Sequence, residues 1–221
     1  MLTIENLSVS LAGSPVLRAL SLEVHAGTTT AVVGRNGAGK TTLLRSIMGL
    51  VAHSSGVIHL NEQNLTLSPA HGRTRAGIGY APEDRVIFPT LSVEENLRLP
   101  CEVLGLREPD MQERLDHVLN VVPQLKPMLL RSGAALSGGQ GKIVALGRAL
   151  MVGTHLVLLD EPFQGLAPAL ASQYAEALSR LRQSRPDLAV IITESNAALL
   201  TDIPNQILTI ERGSFVEALT H

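Results

Sequence analysis

Apolar and polar residues alternate over residues 2–9 and again over 16–24, with the turn Gly13-Ser14-Pro15 between them. This period of two predicts a pair of antiparallel strands in a hairpin-like start. Residues 29–33 read as a buried strand and 42–50 as a helix. Beyond Ser54-Ser55-Gly56, residues 57–60 and 78–81 read as strands bracketing a polar loop. From Ser92 the texture turns helical. Ser92-Val93-Glu94-Glu95 has the form of a capping box, and Pro109-Asp110 opens a second helical stretch that carries Leu115, Val118, Leu119 and Val122. The chain finishes with a strand at 156–160, a helix at 169–183 with Leu170, Tyr174, Leu178 and Leu181 on one face, a strand at 188–193 and a hairpin at 206–216. The expectation is one α/β domain over 1–221: a core of about 1–84 and 151–221, with an antiparallel β part, and an inserted helical subdomain at about 85–150.

Composition narrows the class without choosing a chemistry. The chain has 221 residues, 45% hydrophobic and 17% charged, enough to bury a core without staples. Its only aromatics are Tyr80, Phe88, Phe163, Tyr174 and Phe215, and the net charge is −2. Both facts argue against a base-stacking nucleic-acid platform, so no nucleic-acid partner is expected. Apolar runs such as 156–159 and 188–192 are far shorter than the roughly 18 residues a membrane span needs. The first residues lack a basic stretch followed by an apolar one, so no export signal is expected. A lone Cys101 leaves no internal disulfide and fits a reducing compartment.

Chemistry enters with Gly34-Arg35-Asn36-Gly37-Ala38-Gly39-Lys40-Thr41, placed where a strand turns into a helix. Glycines at 34, 37 and 39 let the backbone curl so that successive N–H groups converge on one centre, and the helix N-terminus adds its positive dipole end. Lys40 can reach the β- and γ-phosphates, and the Thr41 hydroxyl can ligate magnesium. The candidate nucleotide-binding set is residues 34–41 together with Thr42. Downstream, Leu156-Val157-Leu158-Leu159-Asp160-Glu161 is an apolar strand delivering two acids. Asp160 is expected to hold magnesium and Glu161 to polarise the attacking water, which makes Glu161 and Lys40 the candidate catalytic pair. Leu136-Ser137-Gly138-Gly139-Gln140 adds a second anion site, because Ser137 can cap a helix whose exposed N-terminus is bare at two glycines, with Gln140 at the reciprocal capping position. Two phosphate-binding helix ends on one domain suggest nucleotide sandwiched head to tail between two subunits.

With these motifs in this order, the chain resembles an ATP-binding-cassette (ABC) ATPase along essentially its whole length. Residues 34–41 match the Walker A motif, 136–140 the family signature that reaches the partner subunit's ATP, and 156–161 the Walker B motif with its Glu. Residues 80–97 and 161–168 are similar to the second ATP-binding subunits of branched-chain amino-acid importers, with urea and amide importers close behind. The resemblance implies a P-loop ABC-ATPase fold, ATP and Mg2+ as ligands, and two ATPase subunits beneath two membrane permeases fed by an extracytoplasmic solute-binding protein. It also implies a cytoplasmic subunit, peripheral on the inner face of the membrane, hydrolysing ATP to ADP and phosphate. The alternatives are a soluble ABC-type ATPase without a permease and an ATP-binding subunit with little hydrolysis of its own.

Three positions depart from the family pattern. Leu11 or its neighbours stand where many members stack an aromatic residue on adenine. Glu83 occupies the position of the Q-loop Gln, and Ser195 that of the switch His, with no imidazole to offer the γ-phosphate. The Ser195 substitution favours pairing with a second, non-identical cassette that retains its His. The segment 83–90, with Ile87, Phe88 and Pro89 bounded by charge, is the expected permease contact, against core burial of Phe88.

Overall fold

In a computed structural model, the structure describes residues 1–200 and 203–216. The chain runs β1 (Leu2–Leu11), β2 (Ser14–Val24), β3 (Thr29–Val33), α1 (Lys40–Ile47), β4 (Ser55–Leu60), β5 (Gln63–Asn64), α2 (Ala70–Arg75) and β6 (Ile78–Ala81). There follow α3 (Val93–Leu104), α4 (Glu108–Val121), α5 (Gly138–Val152), β7 (Leu156–Asp160), α6 (Pro168–Ser184), β8 (Ala189–Glu194), β9 (Gln206–Glu211) and β10 (Ser214–Val216). Strands β2-β1-β4-β5 form an antiparallel sheet, and β10-β9-β3-β8-β7-β6 a second sheet in which β9, β3, β8, β7 and β6 run parallel.

The hydrophobic pattern explains both sheets. In β1 the buried residues are Leu2, Ile4, Leu7 and Val9, a period of two that slips by one where Asn6 takes a left-handed φ of 50°. The slip is a bulge in the ladder to β2, so the same face stays buried across it. Strands β3, β7 and β8 are instead buried on both faces, as parallel strands covered on both sides must be. Ala31, Val157, Leu159, Val190 and Ile192 face a core shared with α3, α4, α5 and α6. Val32, Leu156, Leu158 and Ile191 face a second core shared with α1 and the antiparallel sheet.

Several element boundaries differ from the sequence expectation. Helix α1 starts at Lys40, two residues early, because its first turn carries functional polar residues and the apolar pattern begins only at Leu43. It stops at Ile47, and Gly49 follows in the left-handed region at φ 73°. Strands β4 and β6, read as bracketing one loop, lie in different sheets, since β4 pairs with β1 and β6 with β7. The polar loop between them contains β5 and α2. Helix α2 has no apolar stripe; its Arg73 is buried and donates to the carbonyls of Ser46 and Ile47 at 2.7 and 2.8 Å, capping the C-terminus of α1. A Cβ on Gly49 would lie 2.7 Å from Arg73 Nε, so the glycine also leaves room for this cap.

The capping box at Ser92 forms: its hydroxyl accepts from Glu95 N–H while the Glu95 carboxylate accepts from Ser92 N–H. Between the adjacent strands β6 and β7 the chain makes one long helical excursion, and α5 returns from it packed against α3 on one side and β6 on the other.

Candidate nucleotide site

Parallel pairing puts the carboxyl ends of β3, β7 and β8 side by side, with Val33 opposite Glu194 and Asp160 opposite Thr193. The crevice outside strand ends of this kind is where ligands bind in open α/β sheets. Residues 34–39 cross it between β3 and α1. Gly37 and Gly39 hold φ of 81° and 113°, which a side chain would strain, while a Cβ on Gly34 would come within 2.4 Å of the Ile210 carbonyl.

Lys40 is buried, and its ammonium donates to the carbonyls of Gly34 and Arg35 at 2.7 and 3.2 Å. It also pairs with Glu161 Oε1 at 3.0 Å, whereas Glu161 Oε2 is buried without a hydrogen-bond partner. Asp160 Oδ1 accepts from the Thr41 hydroxyl at 3.1 Å and from the Thr193 hydroxyl at 2.7 Å, and its Oδ2 from the Tyr80 hydroxyl at 3.2 Å. Burial raises the Asp160 carboxyl above its usual range, against the lowering effect of those three hydrogen bonds. Among the described residues no group of three or more His, Cys, Asp or Glu is arranged to hold a metal. A hydroxyl and a carboxylate side by side suit magnesium, which needs few protein ligands when a nucleotide supplies phosphate oxygens. The Lys40 ammonium likewise fits a phosphate-bearing guest, and the unpartnered Glu161 oxygen fits a donor such as water.

Gly37, Gly39, Lys40, Thr41, Glu83 and Glu161 line one open cleft of about 460 Å³. Asn36, Thr42 and Val16 complete its loop side. Ser195 is not in this lining. It is exposed just beyond β8 and faces a separate cleft of about 880 Å³ on the other flank of the loop, with Gly34, Arg35 and Ala38. Leu11 is 42% exposed.

The 136–140 segment is not in the lining of either cleft. Ser137 caps α5, accepting from Gln140 N–H at 3.3 Å while Gln140 Oε1 accepts from Ser137 N–H at 3.0 Å. Leu136 packs on the helical core, and Ser137 and Gly138 are exposed. A Cβ on Gly139 would strike Leu170 at 2.5 Å, so Gly139 lets α6 approach closely.

Four polar neighbours of these groups escaped the sequence reading: Tyr80, Thr193, Glu194 and Lys142. Glu194 is fully buried at the end of β8, where Oε1 accepts from Phe163 N–H at 2.8 Å and Oε2 has no partner. Burial pushes its carboxyl up to about 7. A signal for it existed, because the apolar run of β8 ends in an acid just as that of β7 does. Lys142, on α5, donates to the Glu161 carbonyl. Its ammonium lies below the usual lysine value through burial, opposed by Glu194 and Glu83.

The ABC transporter family model matches residues 17–164, more than half of the chain. The high-affinity branched-chain amino acid transport ATP-binding protein BraG of Pseudomonas aeruginosa is 34% identical over 216 residues, covering 98% of this chain and 91% of the relative. The lipopolysaccharide export system ATP-binding protein LptB of Escherichia coli is 36% identical over 198 residues, covering 88% and 80%. Among solved structures, a dimeric ATP-binding cassette bound to ADP and phosphate superposes with a TM-score of 0.85 at 19% identity, covering 98% of this chain and 97% of that one, a likeness of fold. No helix among the described residues is long and apolar enough to cross a membrane. Joined to a phosphate loop and an acidic strand end in one cleft, these likenesses establish that the chain belongs to the ABC transporter family of ATP-binding subunits.

Proposed function

We propose that this chain is the ATP-hydrolysing subunit of an ABC importer, peripheral on the inner face of the membrane, that drives uptake of branched-chain amino acids or a related small polar solute. The observation that carries the hydrolytic part is the convergence of Lys40, Thr41 and Glu161 in one cleft, with Asp160 hydrogen-bonded to Thr41. The importer reading rests on BraG and on residues 80–97 and 161–168; LptB, a lipopolysaccharide exporter subunit, stands at similar identity.

Backbone N–H groups of residues 34–39 and the Lys40 ammonium bind the phosphates. Thr41 and Asp160 hold magnesium, which neutralises phosphate charge when bound. Lys40 is paired with Glu161. An incoming γ-phosphate competes for the ammonium and frees the Glu161 carboxylate to accept a proton from water, whose oxygen attacks the γ-phosphorus as the β–γ bridging oxygen departs with ADP. Glu83 lines the same cleft.

Residues 136–140 serve ATP held by a second subunit. Because Ser195 brings no imidazole, that partner is a non-identical cassette with its own His. Permease subunits dock at 83–90, where Val86 and Phe88 are 52% and 43% exposed beside Pro100 and Val103, and the division into a core and a helical subdomain at about 85–150 serves that docking. A solute-binding protein is an indirect partner. The test is affinity purification of the tagged chain from membranes. Co-purification of multi-span permeases and a second cassette, with ATPase activity lowered by Glu161→Gln, is the expected result; a cytosolic chain without permeases would refute the transporter reading.

A further inference from the structure

Glu161 adopts φ 45°, a left-handed conformation that costs a non-glycine residue about 1–2 kcal/mol and persists only where its surroundings fix it. The turn it opens, Glu161-Pro162-Phe163, is fixed from two directions. From β8, Thr193 O and Oγ1 accept from Glu161 N–H at 3.1 and 3.2 Å, and the buried Glu194 carboxylate accepts from Phe163 N–H. From α5, the Lys142 ammonium donates to the Glu161 carbonyl. Lys142 stands four residues into α5 from Gly138, about 6 Å along a rigid helix from the end that bears Ser137 and Gly138. Glu194, Glu83 and Glu161 all attract its ammonium and Arg85 opposes it.

We infer that Lys142 and Glu194 are positioning residues for ATP hydrolysis, and that Lys142 ties the helix end serving the partner subunit's ATP to the turn that aims this chain's own Glu161. Nucleotide seated on the N-terminus of α5 then steadies the carboxylate of the neighbouring site through one hydrogen bond, so that the two ATP sites are mechanically joined inside a single chain. The inference rests on the reading of Glu161 as the water-polarising group. The bond is to the backbone, so Lys142 sets where the carboxylate points and leaves phosphate contacts to Lys40.

Steady-state hydrolysis by the full-length chain, in complex with the partners that co-purify and with the second cassette's own Walker B acid replaced so that only this chain's site turns over, separates positioning from binding. Lys142→Met is expected to lower kcat about ten- to a hundredfold while KM for ATP stays within about twofold, as small misplacements of reacting groups do. Thermal stability of the variant stays at the wild-type value. Lys142→Arg, which restores a cationic donor, recovers most of kcat, and Glu194→Leu repeats the kcat loss. Wild-type kcat in Lys142→Met overturns the inference. So does a joint loss of ATP affinity and thermal stability that Lys142→Arg does not recover. Wild-type turnover in Glu161→Gln instead removes the underlying hydrolytic reading, and the inference with it.

Discussion

Lys40 and Glu161 are ion-paired at 3.0 Å, with both side chains almost wholly buried. On the proposed mechanism, the ammonium that would meet a γ-phosphate is held by the carboxylate that would accept a proton from water. Lys40→Ala is expected to weaken ATP binding by removing a charge-assisted contact. Glu161→Gln keeps ATP binding and lowers turnover at this chain's own site by about 10²–10⁴-fold. Titration calorimetry and phosphate release on the two variants check the pair; equal ATP affinity in Lys40→Ala and wild type would reject the phosphate role.

The buried Glu194 makes stability depend on pH. Its carboxyl is raised from an ordinary 4.5 to about 7, so the folded chain binds the proton more tightly than the unfolded chain. The stabilisation is full below about 4.5 and is lost as pH rises through about 7, a change of about 3 kcal/mol. Asp160, also raised by burial, adds the same sign. Denaturant unfolding of the nucleotide-free chain between pH 5 and 8 should show falling stability, with a shallower slope in Glu194→Gln. An unchanged slope in that variant would mean Glu194 is ionised throughout.

Arg73 illustrates a buried cation without a carboxylate. Its guanidinium is held by the Ser46, Ile47 and Ser68 carbonyls. Arg73→Met leaves those α1 carbonyls without their donor and should cost about 2–4 kcal/mol, since hydrogen bonds to charged groups are worth about 1.5–3 kcal/mol each and buried acceptors lose their partners. Chemical denaturation measures it; a loss under about 0.5 kcal/mol, the range of inert surface changes, would show that water replaces the guanidinium.

Phe88 projects from a loop whose backbone is pinned by the buried Asn96, which accepts from Phe88 N–H and donates to the Phe88 and Leu91 carbonyls. Its ring is exposed beside the Arg148 guanidinium at 5.9 Å, so it is presented on the surface rather than packed in the core. Phe88→Ala should leave the thermal midpoint and ATPase of the isolated chain unchanged while lowering solute uptake per ATP hydrolysed. Unfolding of the variant would return Phe88 to a core role.

With a non-identical partner, the two ATP sites turn over at different rates. Ser137→Arg obstructs the site completed by the partner's Walker residues, and Glu161→Gln disables the site that lacks a switch His. Turnover in the assembled complex should fall further in Ser137→Arg. A fully active, ATP-dependent homodimer of this chain alone would overturn the asymmetry.

What the sequence discloses depends on how the chemistry is encoded. Gly34 to Thr41 and Asp160-Glu161 are legible because the phosphate loop and the acidic strand end need fixed residue types at contiguous backbone positions. Tyr80 and Thr193, both hydrogen-bonded to Asp160, come from separate strands and meet it only through the parallel pairing of β6, β7 and β8. Lys142 belongs to the helix read for its Ser137 cap, and its contact is to a backbone carbonyl that no side-chain pattern announces. The strands were legible wherever one or both faces are buried; α2 was not, because Arg73, rather than an apolar stripe, anchors it.

Helix α5 meets three parts of the molecule along its length. Its capped end presents Ser137 and Gly138, Lys142 holds Glu161, and Arg148 donates to the carbonyls of Arg85 and Val86, themselves at left-handed φ of 65° and 46°. A rod held this way has one clock. Amide hydrogen exchange along α5, at the Glu161–Phe163 turn and at residues 85–86 should slow by a common factor when nucleotide binds, because none of the three can open without releasing the others.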